Sequence, residues 1–214
     1  MRFRNAIFVA VFLLCGTATF AQEEVQRIEL FGEYSYLRFN PTVPQLRNRS
    51  FNGGGGGATF NITNYLGIKA ELMGYGSTSF STTIASPIAT PKGTIPAGTF
   101  NSQGNMFTYL FGPVVKFPTS RFTPFGEILF GGSNSNGYAN LSKAIVAGGG
   151  TINASGTQHP FTMAVGGGLD ININHNFALR PVEVDYVLTR YTNPFTNTNN
   201  QNNFRYTAGF IFKF

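Results

Sequence analysis

Eight segments of this chain alternate apolar and polar residues with a period of two, and this alternation constrains the fold more than any other feature. Successive side chains of a β-strand point to opposite faces, so each segment predicts a strand with one apolar face. No apolar pattern of period 3.6 persists, and stretches rich in Gly, Asn, Ser, Thr and Pro separate the segments. The predicted strands span residues 27–39, 51–62, 65–75, 105–117, 122–132, 161–172, 177–190 and 204–214.

The charged residues identify the two faces of each predicted strand. In mid-strand they fall on the polar face, whereas Arg38 and Arg180, near strand ends, fall on the apolar face. Because a shift of one residue would exchange the faces, this agreement fixes the register. One continuous face therefore excludes charge and the other collects it. The charged residues on the polar face are Glu29, Glu33, Lys69, Glu71, Lys116, Glu127, Asp170, Glu183, Asp185, Arg205 and Lys213.

The composition excludes several other classes of protein. Charged residues make up 11 % of the 214 residues, compared with about 25 % in ordinary soluble domains. Aromatic residues make up 15 %, which is too many for a disordered chain. No stretch rich in Ala, Glu, Lys and Leu supports a coiled coil, and the single cysteine, Cys15, excludes a disulfide scaffold. An all-β protein with an unusually apolar surface remains.

The first 21 residues have the layout of a secretory signal peptide. Arg2 and Arg4 precede a short apolar run over residues 6–14, and Ala21 follows Thr19 at a small-residue cleavage site. We expect cleavage after Ala21, which leaves residues 22–214 as one domain. A lipoprotein signal at Cys15 is the alternative, although Leu14 stands where such signals have a small residue. Cleavage would leave scattered basic residues in modest excess, an arrangement that argues against a nucleic-acid partner.

The connections between the predicted strands alternate in length. Long polar stretches, residues 40–50, 76–104, 133–160 and 191–203, alternate with short ones, residues 63–64, 118–121 and 173–176. Long loops at one end and tight turns at the other are typical of outer-membrane barrels. Strands of this length cross the hydrocarbon layer when tilted, and closure satisfies every backbone group in lipid. The sequence therefore predicts an eight-stranded antiparallel up-and-down transmembrane β-barrel, with both termini in the periplasm.

Together, the signal peptide, the eight segments and the last nine residues resemble the OmpA-like family of small outer-membrane β-barrels. In that family a terminal Phe with alternating aromatics before it is the assembly signal for the outer-membrane insertion machinery. The resemblance implies the outer membrane of a Gram-negative-type bacterium, and it assigns the insertion machinery as a partner. The chain stops at the last strand, so the peptidoglycan-binding domain of many relatives is not expected. The residues that match the assembly signal are Tyr206, Phe210, Phe212 and Phe214.

Eight charged residues on the polar face are candidates for a lumen charge network. One interpretation is a lumen filled by salt bridges, because eight strands enclose little more than their own side chains. The alternative is a cation-lined path or a proton-active cluster. We expect Glu71 or Glu33 to pair with Arg205 or Lys69, since unpaired buried carboxylates are costly. The eight residues are Glu33, Lys69, Glu71, Lys116, Glu127, Glu183, Asp185 and Arg205.

The four long loops carry basic residues and no acidic ones. These residues are candidate contacts for the phosphates of lipopolysaccharide, although chance among few charges explains the asymmetry equally well. Arg38 and Arg190 flank the same loops. The four loop cations are Arg47, Arg49, Lys92 and Lys143.

No set of residues forms a recognisable catalytic or metal-binding site. His159 and His175 fall at opposite ends of the predicted barrel, and no cysteine follows Cys15. The run Gly53–Gly57 lacks the Lys and the following helix of a phosphate-binding loop. We therefore expect a monomeric barrel, not an enzyme, without cofactor or metal, that has a structural or surface-interaction role through its loops. The alternatives are a small-solute or ion channel and a secreted soluble barrel that binds an apolar ligand in its mouth.

Overall fold

A computed structural model describes residues 26–41, 46–152, 156–193, 195–197 and 199–214. The predicted signal peptide and its cleavage site lie outside the described residues. The described part contains the strands β1 (Ile28–Phe39), β2 (Arg49–Asn61), β3 (Leu66–Ile84), β4 (Ile88–Thr90), β5 (Gly93–Ile95), β6 (Gly98–Lys116), β7 (Phe122–Ser135), β8 (Phe161–Asn172), β9 (Phe177–Thr189) and β10 (Gln201–Lys213), and the helix α1 (Gly137–Ala147) between β7 and β8.

Eight of these strands close into a barrel. Following the chain, β1, β2, β3, β6, β7, β8, β9 and β10 each pair with the next, and β10 returns to pair with β1. Every pairing is antiparallel. The short strands β4 and β5 form a separate hairpin. The predicted all-β, up-and-down, eight-stranded barrel is confirmed.

Tight turns and long connections lie at opposite ends of the barrel. The turns β2–β3, β6–β7 and β8–β9 define the turn end, where Ile28 and Phe214 also hydrogen-bond to each other. Residues 40–48, 85–97, 136–160 and 190–200 connect the strands at the other end, which we call the loop end. Both ends of the described chain therefore lie close to the turn end.

The barrel has an apolar outside and a partly charged inside. Phe111 and Phe117 on the outer face are 63 % and 60 % exposed, whereas Lys69 and Glu71 on the inner face are each 1 % exposed. This is the reverse of a soluble barrel, in which apolar side chains fill the interior. Exposed apolar surface that runs round a whole barrel is typical of contact with lipid.

The prediction that residues 76–104 form a loop is wrong over most of its length. β3 and β6 have 19 residues each, and Thr78–Ile84 of β3 pairs with Gly98–Gly104 of β6. This two-stranded arm extends beyond β2, whose pairing with β3 reaches only Tyr75. Its Ser and Thr residues give no apolar face, which is why the search for apolar alternation missed it. Thr nevertheless favours extended backbone because its side chain is β-branched.

The structure contains a short helix that the sequence analysis did not predict. α1 lies inside the predicted loop 133–160, and its buried residues Tyr138, Leu141, Ser142 and Ile145 have the spacing of one helical face. That spacing is a signal in the sequence, but it spans only two turns. At 11 residues α1 is short, and no helix in the described part of the chain is long and apolar enough to cross a membrane.

The glycine run 53–57 lies within β2 and allows close approach of the neighbouring strands, and Gly53, Gly55 and Gly57 also make room for bulky interior side chains. A β-carbon at Gly55 would lie 2.7 Å from the Met73 sulfur, and one at Gly53 would lie 2.8 Å from the Tyr75 ring. At Gly57 it would overlap the Ala70 carbonyl oxygen and approach the Phe31 ring to 2.7 Å. The glycines therefore serve close packing in a strand, as is usual for glycine there.

Replacing Gly57 with Val should impair the barrel, whereas replacing Gly32 with Val should not. The first change forces overlap with the neighbouring strand and should lower the free energy of unfolding by about 1–3 kcal/mol. A β-carbon at Gly32 meets no atom within 4 Å, so Gly32→Val is the matched control. Denaturant unfolding in lipid vesicles measures both. Equal stability of the two variants would contradict the packing role.

Candidate functional site in the lumen and at the loop end

All seven acidic residues in the described part of the chain are buried inside the barrel. Four buried basic residues, Lys69, Lys116, Arg180 and Arg205, face them. Carboxylates therefore outnumber cations in the lumen, while the loops carry only basic residues. The acidic residues are Glu29, Glu33, Glu71, Glu127, Asp170, Glu183 and Asp185.

Lys69 lies at the centre of the lumen network. Its Nζ is 3.3 Å from a Glu71 oxygen, 3.1 Å from Glu127 and 3.0 Å from Glu183. These carboxylates come from β3, β7 and β9, so one ammonium group connects three strands across the barrel. The Phe31 ring, with its centroid 5.0 Å from Nζ, adds a cation–π contact.

Arg205 holds a second group of carboxylates. Its Nε donates to Asp185 Oδ2 at 2.8 Å, across the β9–β10 pairing in which the two residues are direct partners. Its two terminal nitrogens contact both oxygens of Glu71 on β3. Glu71 therefore contacts both of the cations that the sequence analysis proposed for it, Lys69 and Arg205. Bidentate contacts of this kind fix the orientation of the guanidinium group in addition to pairing its charge.

Arg180 joins the same network, and the prediction that it lies on the apolar face is wrong. Its guanidinium contacts both oxygens of Asp170 at 2.7 and 3.0 Å, and its Nη1 lies 2.8 Å from both Glu33 and Glu183. The guanidinium carbon is 4.2 Å from the centroid of Phe125. Glu33 therefore pairs with Arg180.

A β-bulge turns Arg180 inward. Opposite β10, the step from Arg180 to Glu183 on β9 covers three residues where β10 covers two, and opposite β8 the step from Leu179 to Val182 likewise covers three where β8 covers two. The extra residue reverses the alternation, so Arg180 and Glu183 face the same side. Pro181 has no N–H to donate, and mid-strand proline is confined to edges and bulges. This proline is the sequence signal that could have located Arg180.

Lys116 belongs to a smaller group nearer the turn end. It forms an ion pair with Glu29 and donates to Asn61 Oδ1 at 3.0 Å. Of the eight predicted lumen residues, the other seven thus contact one another through Lys69, Arg180 and Arg205. The sequence analysis omitted Glu29, Asp170 and Arg180 from that set, although it placed the first two on the polar face.

Ion pairing accounts for the close approach of the carboxylates. Glu33, Glu71 and Glu183 form one group whose oxygens lie within 4.8 Å of one another, and Glu127, Glu183 and Asp185 form another. Each of these carboxylates contacts Lys69, Arg180 or Arg205. Such clusters are what a metal ion could bind, but here basic side chains already lie among the oxygens. His159 and His175, both exposed, lie in connections at opposite ends of the barrel.

The half of the interior toward the loop end is uncharged and mostly apolar, with a few buried polar side chains such as Ser133 and Gln201. The sequence analysis did not foresee this. Buried apolar side chains from seven barrel strands join residues of α1 and the loop-end connections in one cluster. The barrel residues lie on the same face as the charged ones, so alternation alone does not separate the two zones. The barrel members include Leu37, Phe51, Met73, Tyr75, Met106, Leu110 and Leu129.

The four residues predicted as loop cations lie at the loop end, but Arg49 is the first residue of β2 and not part of a connection. Arg47 is exposed, and Arg49 is half-buried with its Nη2 donating to Ser81 O at 3.3 Å. Lys92, between β4 and β5, donates to Asn193 O at 2.8 Å, and partial burial lowers its pKa. Lys143 is exposed on α1.

Aromatic residues surround the outer face at both ends of the barrel. Near the loop end the hydroxyls of Tyr34 and Tyr186 donate to Asn52 at 2.6 Å and Asn202 at 2.7 Å. At the turn end Phe210, Phe212 and Phe214 of the predicted assembly signal are more than half exposed. The fourth residue of that signal, Tyr206, is partly buried and donates to Pro181 O at 2.7 Å.

Comparison with known proteins identifies the fold and goes no further. A scan against protein-family models and a search of curated protein sequences each found no match. Among solved structures, the chain is similar to Neisserial surface protein A, at 13 % identity and a TM-score of 0.53, covering 87 % of this chain and 97 % of that one. It is also similar to the outer membrane protein OprG of Pseudomonas aeruginosa, at 14 % identity and a TM-score of 0.53, covering 89 % and 99 %. The fold is that of small outer-membrane barrels.

The role of Arg180 in the network predicts the effect of its removal. Arg180→Gln should lower the free energy of unfolding by about 3–5 kcal/mol, because three buried carboxylates lose their shared cation. Arg190→Gln, at an exposed position one residue beyond β9, is the matched control and should change little. Unfolding by guanidinium in lipid vesicles measures both. Similar stabilities would show that Arg180 does not support the network.

Proposed function

We propose that the protein is an integral outer-membrane barrel with a structural or surface-interaction role, carried by its loop end above a lumen filled by side chains. The observation that carries the proposal is the inverted burial of the closed barrel. Large apolar side chains are exposed around the outside, while every described carboxylate is buried inside. A lipid environment stabilises this arrangement, whereas water would leave the whole outer face unfavourably exposed.

The height of the apolar surface supports the proposal. On β1 the outer face runs from Ile28, at the turn end, to Tyr36, whose hydroxyl contacts Ser50 at 2.7 Å. Eight residues span about 26 Å along a strand, or about 20 Å of height at a tilt near 40°. That height is comparable to the ~25 Å apolar band of outer-membrane barrels. Tyrosines at its upper limit suit the interface, where their hydroxyls reach polar partners.

The interior favours a structural or surface role over a channel. Lys69, Arg180 and Arg205 connect strands across the lumen on the turn-end side. On the loop-end side, Met73 and Leu129 are completely buried. Closure leaves no unpaired barrel edge, which is consistent with a monomer in lipid. The outer-membrane insertion machinery is the proposed assembly partner, with Phe210, Phe212 and Phe214 as its signal.

The membrane placement predicts a heat-dependent gel shift. Detergent-extracted protein should migrate differently before and after boiling, because a closed barrel stays folded in the detergent until it is heated. Fractionation should place the protein with membranes. Recovery in the soluble fraction, with no shift on boiling, would overturn the proposal and favour a soluble barrel with an apolar ligand.

Conductance in planar bilayers distinguishes a filled lumen from a channel. Protein that shows the gel shift should give essentially no single-channel current. Steady current from such protein would leave the membrane placement intact and would replace the structural role with a transport role.

We further propose that the loop cations contact the phosphates of lipopolysaccharide. Replacing Arg47, Arg49, Lys92 and Lys143 together with Gln should weaken binding to lipopolysaccharide, and salt should weaken the wild-type binding similarly. Replacing Arg27 and Arg121, exposed on the turn end, is the control and should have little effect. Co-sedimentation with lipopolysaccharide vesicles provides the measurement. Unchanged binding by the four-residue variant would remove this partner.

A further inference from the structure

A cavity lies at the loop end, above the apolar half of the lumen. It has a volume of about 50 Å³. Apolar side chains from β1, the β1–β2 connection, β2, β6 and α1 make up most of its wall. They include Phe39, Leu46, Phe51, Met106 and Leu141.

Four aromatic rings form a rigid part of this wall. The ring centroid of Phe39 is 6.3 Å from that of Phe51, 6.2 Å from that of Tyr138 and 6.3 Å from that of Tyr191. Tyr138 and Tyr191 are themselves 6.2 Å apart. Edge-on and tilted contacts of this kind hold the rings in place. The cavity is therefore a formed feature of the packing between α1 and the barrel strands.

Tyr138 lines this cavity, and its buried hydroxyl has no hydrogen-bond partner in the described part of the chain. Tyr138 is 8 % exposed, and its ring belongs to the cavity wall. Burial raises the pKa of this hydroxyl, so it stays protonated and remains a donor. Buried hydroxyls nearly always have a partner, so this donor calls for an acceptor.

Two arginines complete the wall. Arg47 is exposed and Arg49 is half-buried, and both line the cavity. All acidic residues in the described part of the chain lie inside the barrel, so the loop end offers these guanidinium groups no carboxylate partner there. Apolar walls, an unpaired hydroxyl donor and two cations together match a molecule with an apolar body and an anionic head.

We propose that this cavity binds a short-chain aliphatic carboxylate. The alkyl chain packs against Phe39, Phe51 and Leu141, and the carboxylate faces Arg47 and Arg49 and accepts a hydrogen bond from Tyr138. The volume limits the size of the chain. About 10–15 Å³ on this measure holds one water, so the cavity accommodates a few methylene groups and no bulky ring. The inference goes beyond the proposed membrane role, because it concerns a ligand for the loop end.

Binding of pentanoate tests the proposal. Saturation-transfer difference NMR with the refolded barrel in nanodiscs should show saturable binding below about 10 mM. Acetate lacks the chain and pentanamide lacks the charge, and both should bind at least tenfold more weakly. No saturable pentanoate binding, or equal binding of the three compounds, would overturn the proposal.

Variants test the residues of the site. Arg47→Gln with Arg49→Gln should weaken pentanoate binding about tenfold and leave pentanamide binding unchanged, because only the charged head loses its partners. Arg38→Gln with Arg190→Gln removes two exposed charges at the loop end that do not line the cavity and is the matched control. If both double variants lost the same pentanoate affinity, the effect would come from the net positive charge of the loop end, and the assignment of Arg47 and Arg49 would be overturned.

Tyr138→Phe isolates the hydroxyl, since it keeps the ring and its packing. Pentanoate binding should weaken severalfold, and unchanged binding would overturn the part assigned to this donor. The heat-dependent gel shift, run on every variant, reports whether the barrel is folded. A folded barrel without pentanoate binding refutes the cavity proposal and leaves the proposed membrane role standing, so the two failures are distinguishable.

Discussion

Closure of the sheet through the β1–β10 pairing is the constraint on which the rest of the structure depends. A closed antiparallel sheet satisfies the backbone hydrogen bonds of all eight strands without a free edge, so the outer face can be almost wholly apolar. The same closure removes the inner face from solvent. Every charged residue on the inner face must then pair with an opposite charge inside the lumen, which is just wide enough for side chains to fill. Lys69, Lys116, Arg180 and Arg205 supply those partners for the buried carboxylates.

The lumen meets this requirement in two different ways along its axis. Toward the turn end, three cations hold carboxylates from β1, β3, β7, β8 and β9 at distances of 2.7–3.5 Å. Toward the loop end, uncharged and mostly apolar residues fill the barrel, and α1 packs over them with Tyr138, Leu141 and Ile145. The ionic half of the lumen connects distant strands, while the loop-end connections pack against the apolar half. The cavity beside Tyr138 lies between these apolar side chains and the arginines Arg47 and Arg49.

The sequence predicted the barrel wall well because one rule governs it. In a strand with one face in lipid, alternate residues face opposite sides. Glu33, Lys69 and Glu71 therefore face the lumen, whereas their neighbours Tyr34, Ala70 and Leu72 face lipid. The site was predicted only in part. Contacts such as Lys69 with Glu183 join residues 114 positions apart, and only the diameter and stagger of the barrel bring them together. Arg180 was misplaced because a single extra residue at Pro181 reverses the alternation. The arm of β3 and β6 and the helix α1 were missed because neither presents a long apolar face.

The sequence itself thus determined the number of barrel strands and which residues of each strand face inward or outward. It also determined the alternation of short and long connections. The alternation of apolar and polar residues along each strand carries this information, because one face of the strand contacts lipid and the other faces the lumen. Which cation holds which carboxylate, where the lumen changes from ionic to apolar, and how Phe39, Tyr138 and Tyr191 enclose a cavity were decided only by the tertiary structure. These features depend on distances across a closed barrel, and no spacing along the chain records those distances.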